Sequence, residues 1–568
     1  MYNPEKITYF AETDSRNKRV SFGIKAKDRL KHVYVIGKTG MGKSTVLENM
    51  AVQDIKSNEG MAFIDPHGKT AELLLEYVPP ERIKDVVYFA PFDIEHPISF
   101  NVMEDVGADK RHLVANGLMS AFKKLFGEES FSDRMQYILQ NTILALLEYP
   151  NSTMLGINKM LVDKEYRKKV VENITDSSVK AYWTQEFAGY TERFAAEAIP
   201  AIQNKIGQFT SNPLVRNIIG QERSSFDFRK IMDEGKIIII NLSKGRVGEA
   251  NANLLGSMLI TKIYLAAMSR ADRHETELQK LPNFYLYVDE FQSFANESFA
   301  DILSEARKYK LNLTIAHQYI EQMDEEVRAA VFGNVGTMIA FRVGAYDAEV
   351  LEKEFAPTFT AEDLVNLGSY QIYLKLMIDG ISSQPFSART LPPIEKPASS
   401  SVDEIIRHSR RVYSEPRIEV EKKIHSWHEE GREKAEFKNK KPEIRNDKPE
   451  IKREIRPEPP RPKLDLKPKF IPKPLPREED EFQPISNISL SSLKQKSNNQ
   501  RPPSYKNVSE LKNALSSIIK PTDDEPKINN KLNTKPESPA MNTSQAKTEI
   551  SKPKEIPEAE LKALLDVE

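Results

Sequence analysis

The sequence predicts an α/β fold of the P-loop nucleotide-binding class, with an inserted all-helical segment and a C-terminal tail too poor in apolar residues to fold. Three observations predict it. A glycine-rich loop, VYVIGKTGMGKST at 33–45, closes a short apolar run. A second apolar run, FYLYV at 284–288, ends in the adjacent carboxylates Asp289 and Glu290. Between them, helical periodicity replaces strand-like runs over residues 105–232.

Taken in order, residues 1–104 read as a β-rich start followed by the glycine-loop unit, with a strand expected at 20–24. In the loop itself, Val33, Val35 and Ile36 form a strand that Gly37 ends abruptly. Gly37, Gly40 and Gly42 allow backbone N–H groups to close around phosphate oxygens, with Lys38, Thr39 and Met41 completing the wrap. Lys43 sets a positive charge against the β- and γ-phosphates, and the Ser44 hydroxyl is a ligand for Mg²⁺. Ser44 and Thr45 open a helix expected over 44–55, whose positive end faces the same anion. Strands follow at 61–64 and 86–89. Asp65-Pro66-His67-Gly68 after the first of these is good turn chemistry, a reading preferred to an approach of Asp65 or His67 to the nucleotide.

From 105 to 232 Met135, Ile138, Leu139, Thr142 and Leu146 recur at helical spacing, and 177–209 continues the pattern with Trp183, Phe187, Tyr190 and Phe194. The stretch is too long for a loop and reads as an all-helical insertion. Its aromatics suit a core better than a base-stacking platform. The sheet resumes at 236–241 (KIIIIN), a long helix is expected over 252–269, and 233–395 completes the core with strands at 284–288, 313–316, 337–341 and 371–376.

Asp289 stands where a strand-end carboxylate holds the Mg²⁺ water shell, and Glu290 where a general base polarises the attacking water. Gln318, ending the strand LNLTIA at 311–316, is placed to sense the γ-phosphate. The expected helix 299–309 carries Arg307, able to reach a neighbouring subunit's γ-phosphate, with a solvated face as its plainer reading; Arg342 is a second candidate. A water-activating glutamate argues for hydrolysis over transfer to a small acceptor.

A helical pair is expected over 396–430, marked by Val420, Ile424 and Trp427. Beyond 431 the chain is rich in Pro and Lys and is expected to be disordered. Its apolar stretches at 488–493, 508–519 and 557–567 each carry Leu-Lys, the first of them across its end at Leu493-Lys494, and read either as docking motifs or as chance residues in a spacer. Among 568 residues the formal net charge is −1, so no global basic signature is present. The absence of cysteine excludes disulfides, thiolate metal sites and cysteine catalysis. No signal-peptide pattern opens the chain, and its apolar runs look strand-sized beside the ~20 residues of a membrane span, so a cytoplasmic protein is expected, with any membrane recruitment through a partner.

The glycine loop, FIDPHG at 63–68, SFNV at 99–102, NLSKGRVG at 241–248, YVDEFQ at 287–292, EARKY at 305–309 and AHQ at 316–318 occur in that order. The set resembles the FtsK/HerA superfamily of DNA-pumping ATPases, nearest the TraG/TraD-like coupling ATPases of type IV secretion, over about residues 15–395. The resemblance implies a RecA-like motor using ATP and Mg²⁺, assembled as a hexameric ring around DNA held by its backbone. It implies Lys43 and Ser44 at phosphate and metal, Asp289 and Glu290 as metal-binding and catalytic carboxylates, Gln318 as sensor and Arg307 as the finger acting in trans. Membrane-anchored relatives begin with transmembrane helices, whereas here the glycine loop begins at Val33, so a form without that anchor is expected. Two other readings stay open: an ATPase that moves or recruits protein substrates, and a nucleotide-switched scaffold recruiting partners, such as a secretion channel, through its tail.

Overall fold

The computed structural model describes residues 3–14, 18–296 and 298–429. The tail expected from 431 onward, with its three apolar stretches, lies outside the described residues.

An eleven-stranded sheet organises the chain. In chain order its first strands are β1 (Ile7–Glu12), β2 (Ser21–Lys25), β3 (Val33–Ile36), β4 (Gly60–Asp65) and β5 (Val86–Phe89). Then come β6 (Ile237–Asn241), β7 (Phe284–Val288), β8 (Leu311–His317), β9 (Thr337–Ala340) and β10 (Gln371–Lys375). A short separate hairpin, β11 (Met377–Ile378) and β12 (Ile381–Ser382), leads to β13 (Phe386–Thr390), which rejoins the main sheet. The order across the sheet is β2-β1-β13-β10-β9-β3-β8-β7-β4-β6-β5. From β9 to β5 every pairing is parallel; from β10 to β2 every pairing is antiparallel. One strand, β8, separates the glycine-loop strand β3 from the carboxylate strand β7, the arrangement of a RecA-like core.

The parallel strands are buried on both faces, which is why they read as unbroken apolar runs. Alternate residues serve two cores: Val33, Val35, Ile237 and Ile239 face one layer, Tyr34, Ile36, Ile238 and Ile240 the other. Each isoleucine of β6 is fully buried, worth about 1.5–3 kcal/mol apiece relative to exposure. The helix Lys43–Lys56 lies on the first face through Val46, Leu47, Met50 and Ile55.

Between β5 and β6 the chain is helical, as expected. The helix Asp133–Glu148 buries Met135, Ile138, Leu139, Thr142 and Leu146, and its N-terminus is capped by the Ser132 side chain. The pattern expected over 177–209 is not one helix. A π-turn at Tyr182–Glu186 and a 3₁₀ turn at Phe187–Gly189 separate Ser177–Ala181 from Glu192–Thr210. That break lets Trp183 and Phe187 meet at 4.5 Å and Phe187 and Tyr190 at 5.3 Å, a packed aromatic cluster rather than an open platform. The side chain of Phe194 lies outside those described.

The buried side chains of these helices are continuous with the second face of the sheet. The join is the helix Glu249–Met268, which packs against Arg111–Phe126. A Cβ on Gly117 would stand 2.5 Å from Thr261 Cγ2, so glycine permits this close crossing. The segment Glu249–Asp272 corrects the expectation that every apolar run is strand-sized: it is long and apolar enough to cross a membrane, yet 78% of its most apolar window is buried inside the protein. Its apolarity is explained by a core on all sides. The final helices, Val402–Tyr413 and Arg417–Glu429, cover the edge near β5 and the helical region, with Val420 and Ile424 packed on Leu155.

Candidate functional site

The carboxyl ends of the parallel strands share one edge of the sheet, and the chemistry predicted from sequence gathers there. Beyond β3 the backbone turns through Gly37 (φ 156°), Gly40 (φ 79°) and Gly42 (φ 119°), conformations that suit residues without Cβ. A Cβ on Gly37 would also strike Phe341 Cβ at 2.5 Å. The loop is pinned from both neighbouring strands: Gly37 N–H donates to the His317 carbonyl at 3.3 Å and Lys38 N–H to the Arg342 carbonyl at 2.8 Å. Lys38 is half-buried, Thr39 exposed and Met41 buried; Thr45 lies in the first turn of the helix that Lys43 opens.

The Lys43 ammonium is buried and folds back to donate to the Gly37 carbonyl at 2.6 Å. Burial lowers its pKa, opposed by the charges of Glu290 and Asp289. The Ser44 hydroxyl donates to Asp289 Oδ2 at 3.1 Å, joining groups 245 residues apart. Burial raises the Asp289 pKa to about 6, reinforced by Glu290 and Asp65. One hydroxyl and one carboxylate, beside a loop shaped for phosphate, fit Mg²⁺, which takes one or two carboxylates and completes its shell with phosphate oxygens and water. Among the described residues no group of three or more His, Asp or Glu could hold a metal without such help.

Glu290 adopts a left-handed backbone, φ 48°, unusual for glutamate. Its own N–H donates to Asp289 Oδ1 at 2.9 Å. Two amides then hold its carboxylate: Gln318 Nε2 donates to Oε1 at 2.6 Å and Gln292 Nε2 to Oε2 at 2.5 Å. Gln318 thus lies against Glu290. Gln292 had no assigned role in the sequence reading; its only signal there is its place two residues after Glu290, in a turn whose geometry sequence does not disclose. Both amides line a cleft of about 420 Å³ with Lys124 from the helical region, Lys244, His67 and Asn253.

One predicted residue is near but otherwise engaged, and one falls elsewhere. Asp65 is spent on its own turn, accepting from the N–H groups of His67 at 2.8 Å and Ala71 at 2.9 Å. Arg307 is exposed on the 3₁₀ turn before β8, at the amino end of the strand and so at the opposite edge from its own glycine loop. Within one subunit it does not join Lys43 and Glu290. The backbone of Arg342 stands beside the loop, its carbonyl accepting from Lys38 N–H.

A family model described as type IV secretory system conjugative DNA transfer matches residues 5–338, more than half of the chain. The chain belongs to that family. It is a P-loop ATPase of the conjugative DNA-transfer type. No curated protein matches its sequence. Among solved structures, the unbound bacterial conjugative coupling protein TrwBdeltaN70 is 14% identical, covering 69% of this chain and 95% of its own, with TM-score 0.49. TrwB with a non-hydrolysable ATP analogue is 13% identical, over 70% and 96%, with TM-score 0.49. VirB4 of Thermoanaerobacter pseudethanolicus is 14% identical, over 69% and 98%, with TM-score 0.42.

Proposed function

We propose that this family member is an ATP-driven motor that moves DNA, gripping it along phosphates rather than reading bases, and working as a ring of subunits, six by family resemblance. The observation that carries this reading is the convergence of Lys43, Ser44, Asp289, Glu290 and Gln318 at one sheet edge. Lys43 and the loop N–H groups bind the phosphates; Ser44 and Asp289 hold Mg²⁺. When bound, that cation neutralises charge on the β- and γ-phosphate oxygens. Glu290, aimed by its two amides, takes the proton of the attacking water. Gln318 touches Glu290 and stands at the end of β8, so movement on loss of the γ-phosphate passes into the sheet. Arg307, on the opposite edge, serves a neighbouring subunit, a role it can fill only in an assembly.

The test is steady-state ATP hydrolysis with and without duplex or single-stranded DNA at two salt concentrations. Stimulation that weakens as salt rises is expected of a backbone-gripping motor. Absence of stimulation in an active, assembled preparation would overturn the DNA motor in favour of protein substrates.

A further inference from the structure

The chemistry at the phosphate loop is lopsided. Asp289, Glu290 and Gln318 stand at the ends of β7 and β8, on one side of β3. The groups that would meet the γ-phosphate thus lie toward β8, and the rest of a bound nucleotide would leave the loop on the other side, over β9 and β10. Of the exposed aromatic side chains near that edge, one borders the loop itself. Tyr370, just before β10, is 48% exposed, yet its ring borders the loop: a Cβ built on Gly42 would lie 3.2 Å from Tyr370 Cδ1.

The backbone that carries the ring is tied on both sides. Tyr370 has φ 65°, a left-handed conformation that bulky residues rarely take. It is held by its N–H donating to the Met41 carbonyl at 3.3 Å and by its carbonyl accepting from Thr390 N–H at 2.9 Å. The first bond ties it to the phosphate loop, the second to β13. A half-open ring, held in a costly backbone conformation beside a ligand loop, is the signature of a pre-organised contact.

We propose that Tyr370 is the platform on which the nucleobase of the bound nucleotide stacks. The proposal rests on the nucleotide-site reading above. It assigns to the antiparallel extension of the sheet a function in ligand binding, because β10 and β13 set the position of the ring. Stacking on an aromatic face is tolerant of base identity, so the contact adds affinity without demanding adenine.

The experiment compares binding of MgATP and of inorganic tripolyphosphate, which has no base, to the full chain and to Tyr370→Ala and Tyr370→Phe, by calorimetry. Tyr370→Ala is expected to weaken MgATP about tenfold, within the range of base–aromatic stacking, while tripolyphosphate binding stays within twofold. Tyr370→Phe, which keeps the ring, restores MgATP affinity. Equal MgATP affinity in wild type and Tyr370→Ala would overturn the platform alone. So would parallel losses of MgATP and tripolyphosphate, which would make Tyr370 only a brace for the loop. Failure of the wild-type chain to bind either compound would remove the nucleotide site itself, and the platform with it.

Discussion

The helix Lys43–Lys56 carries a buried charged cluster at each end, both completed by side chains from β7 or the residues just after it, and the two clusters are opposites. At one end Arg29 makes a two-pronged bond to Asp54, with Nη1···Oδ1 at 2.8 Å and Nη2···Oδ2 at 2.9 Å. It also donates to the Tyr287 hydroxyl at 2.7 Å and lies 3.7 Å from the centre of the Tyr285 ring. Every charge there has a partner. At the other end burial raises the pKa of Asp289, the adjacent Glu290 adds to it, and Lys43 turns to backbone carbonyls. Compensated burial builds structure, whereas uncompensated burial is what a site needs when its missing charges arrive with the ligand.

Substitutions at the two ends should therefore fail in different ways. The largest effect is expected from Glu290→Gln, which removes the base and keeps the shape. Turnover should fall by about 10²–10⁴-fold with ATP binding retained, read from single-turnover hydrolysis and calorimetry; wild-type turnover in this variant would refute the catalytic assignment. Arg29→Met should do the converse. It strands Asp54 in the core and should cost about 3–5 kcal/mol in denaturant unfolding, with MgATP affinity changed less than twofold; an unchanged midpoint would show that the cluster is not structural.

His32 sharpens the contrast, because it lies at the satisfied end. Burial depresses its pKa to about 4, and as a neutral ring it donates to the Leu303 carbonyl and accepts from Leu313 N–H. The unfolded chain takes up a proton near pH 6.5 that the folded chain refuses until about pH 4. Stability from neutral His32 is thus fully present above pH 6.5 and lost as pH falls from 6.5 to 4, by about 3 kcal/mol in all. Unfolding free energies of wild type and His32→Gln should converge across that window; parallel curves would sink the assignment.

How much of this could be read in the sequence depended on distance along the chain. The glycine loop and Asp289-Glu290 are contiguous, and the apolar runs before them imply strands, so their placement at one sheet edge was legible. Strand β13 was missed, although Phe386, Ala388 and Thr390 alternate inward with exposed residues. Its pairing with β1, Ala11 opposite Thr390, is invisible to any local window. The Arg29–Asp54–Tyr287 cluster was missed for the same reason: each residue alone looks like a surface charge or a strand aromatic. Tyr370 was illegible because its meaning lies in a positive φ and a contact with Gly42, neither encoded by its neighbours.

The smallest expected effect is the most discriminating, since it asks whether Gln292 orients Glu290 or merely fills space. Gln292 and Gln318 each hold one oxygen of the Glu290 carboxylate. Loss of Gln292 leaves one oxygen still held, so Gln292→Ala should lower kcat about tenfold and leave KM for ATP within twofold, the pattern of an interaction that matters only as the water is activated. Gln292→Glu places a like charge against the base and should be slower still, despite its nearly identical volume. If the glutamate variant, which keeps the volume, retained the wild-type kcat while the alanine variant lost it, the lost side-chain packing would explain the defect and the amide would have no positioning role. If the alanine variant were slow and the glutamate variant slower, the two-amide cradle would explain how a glutamate in a left-handed backbone is kept aimed at its water.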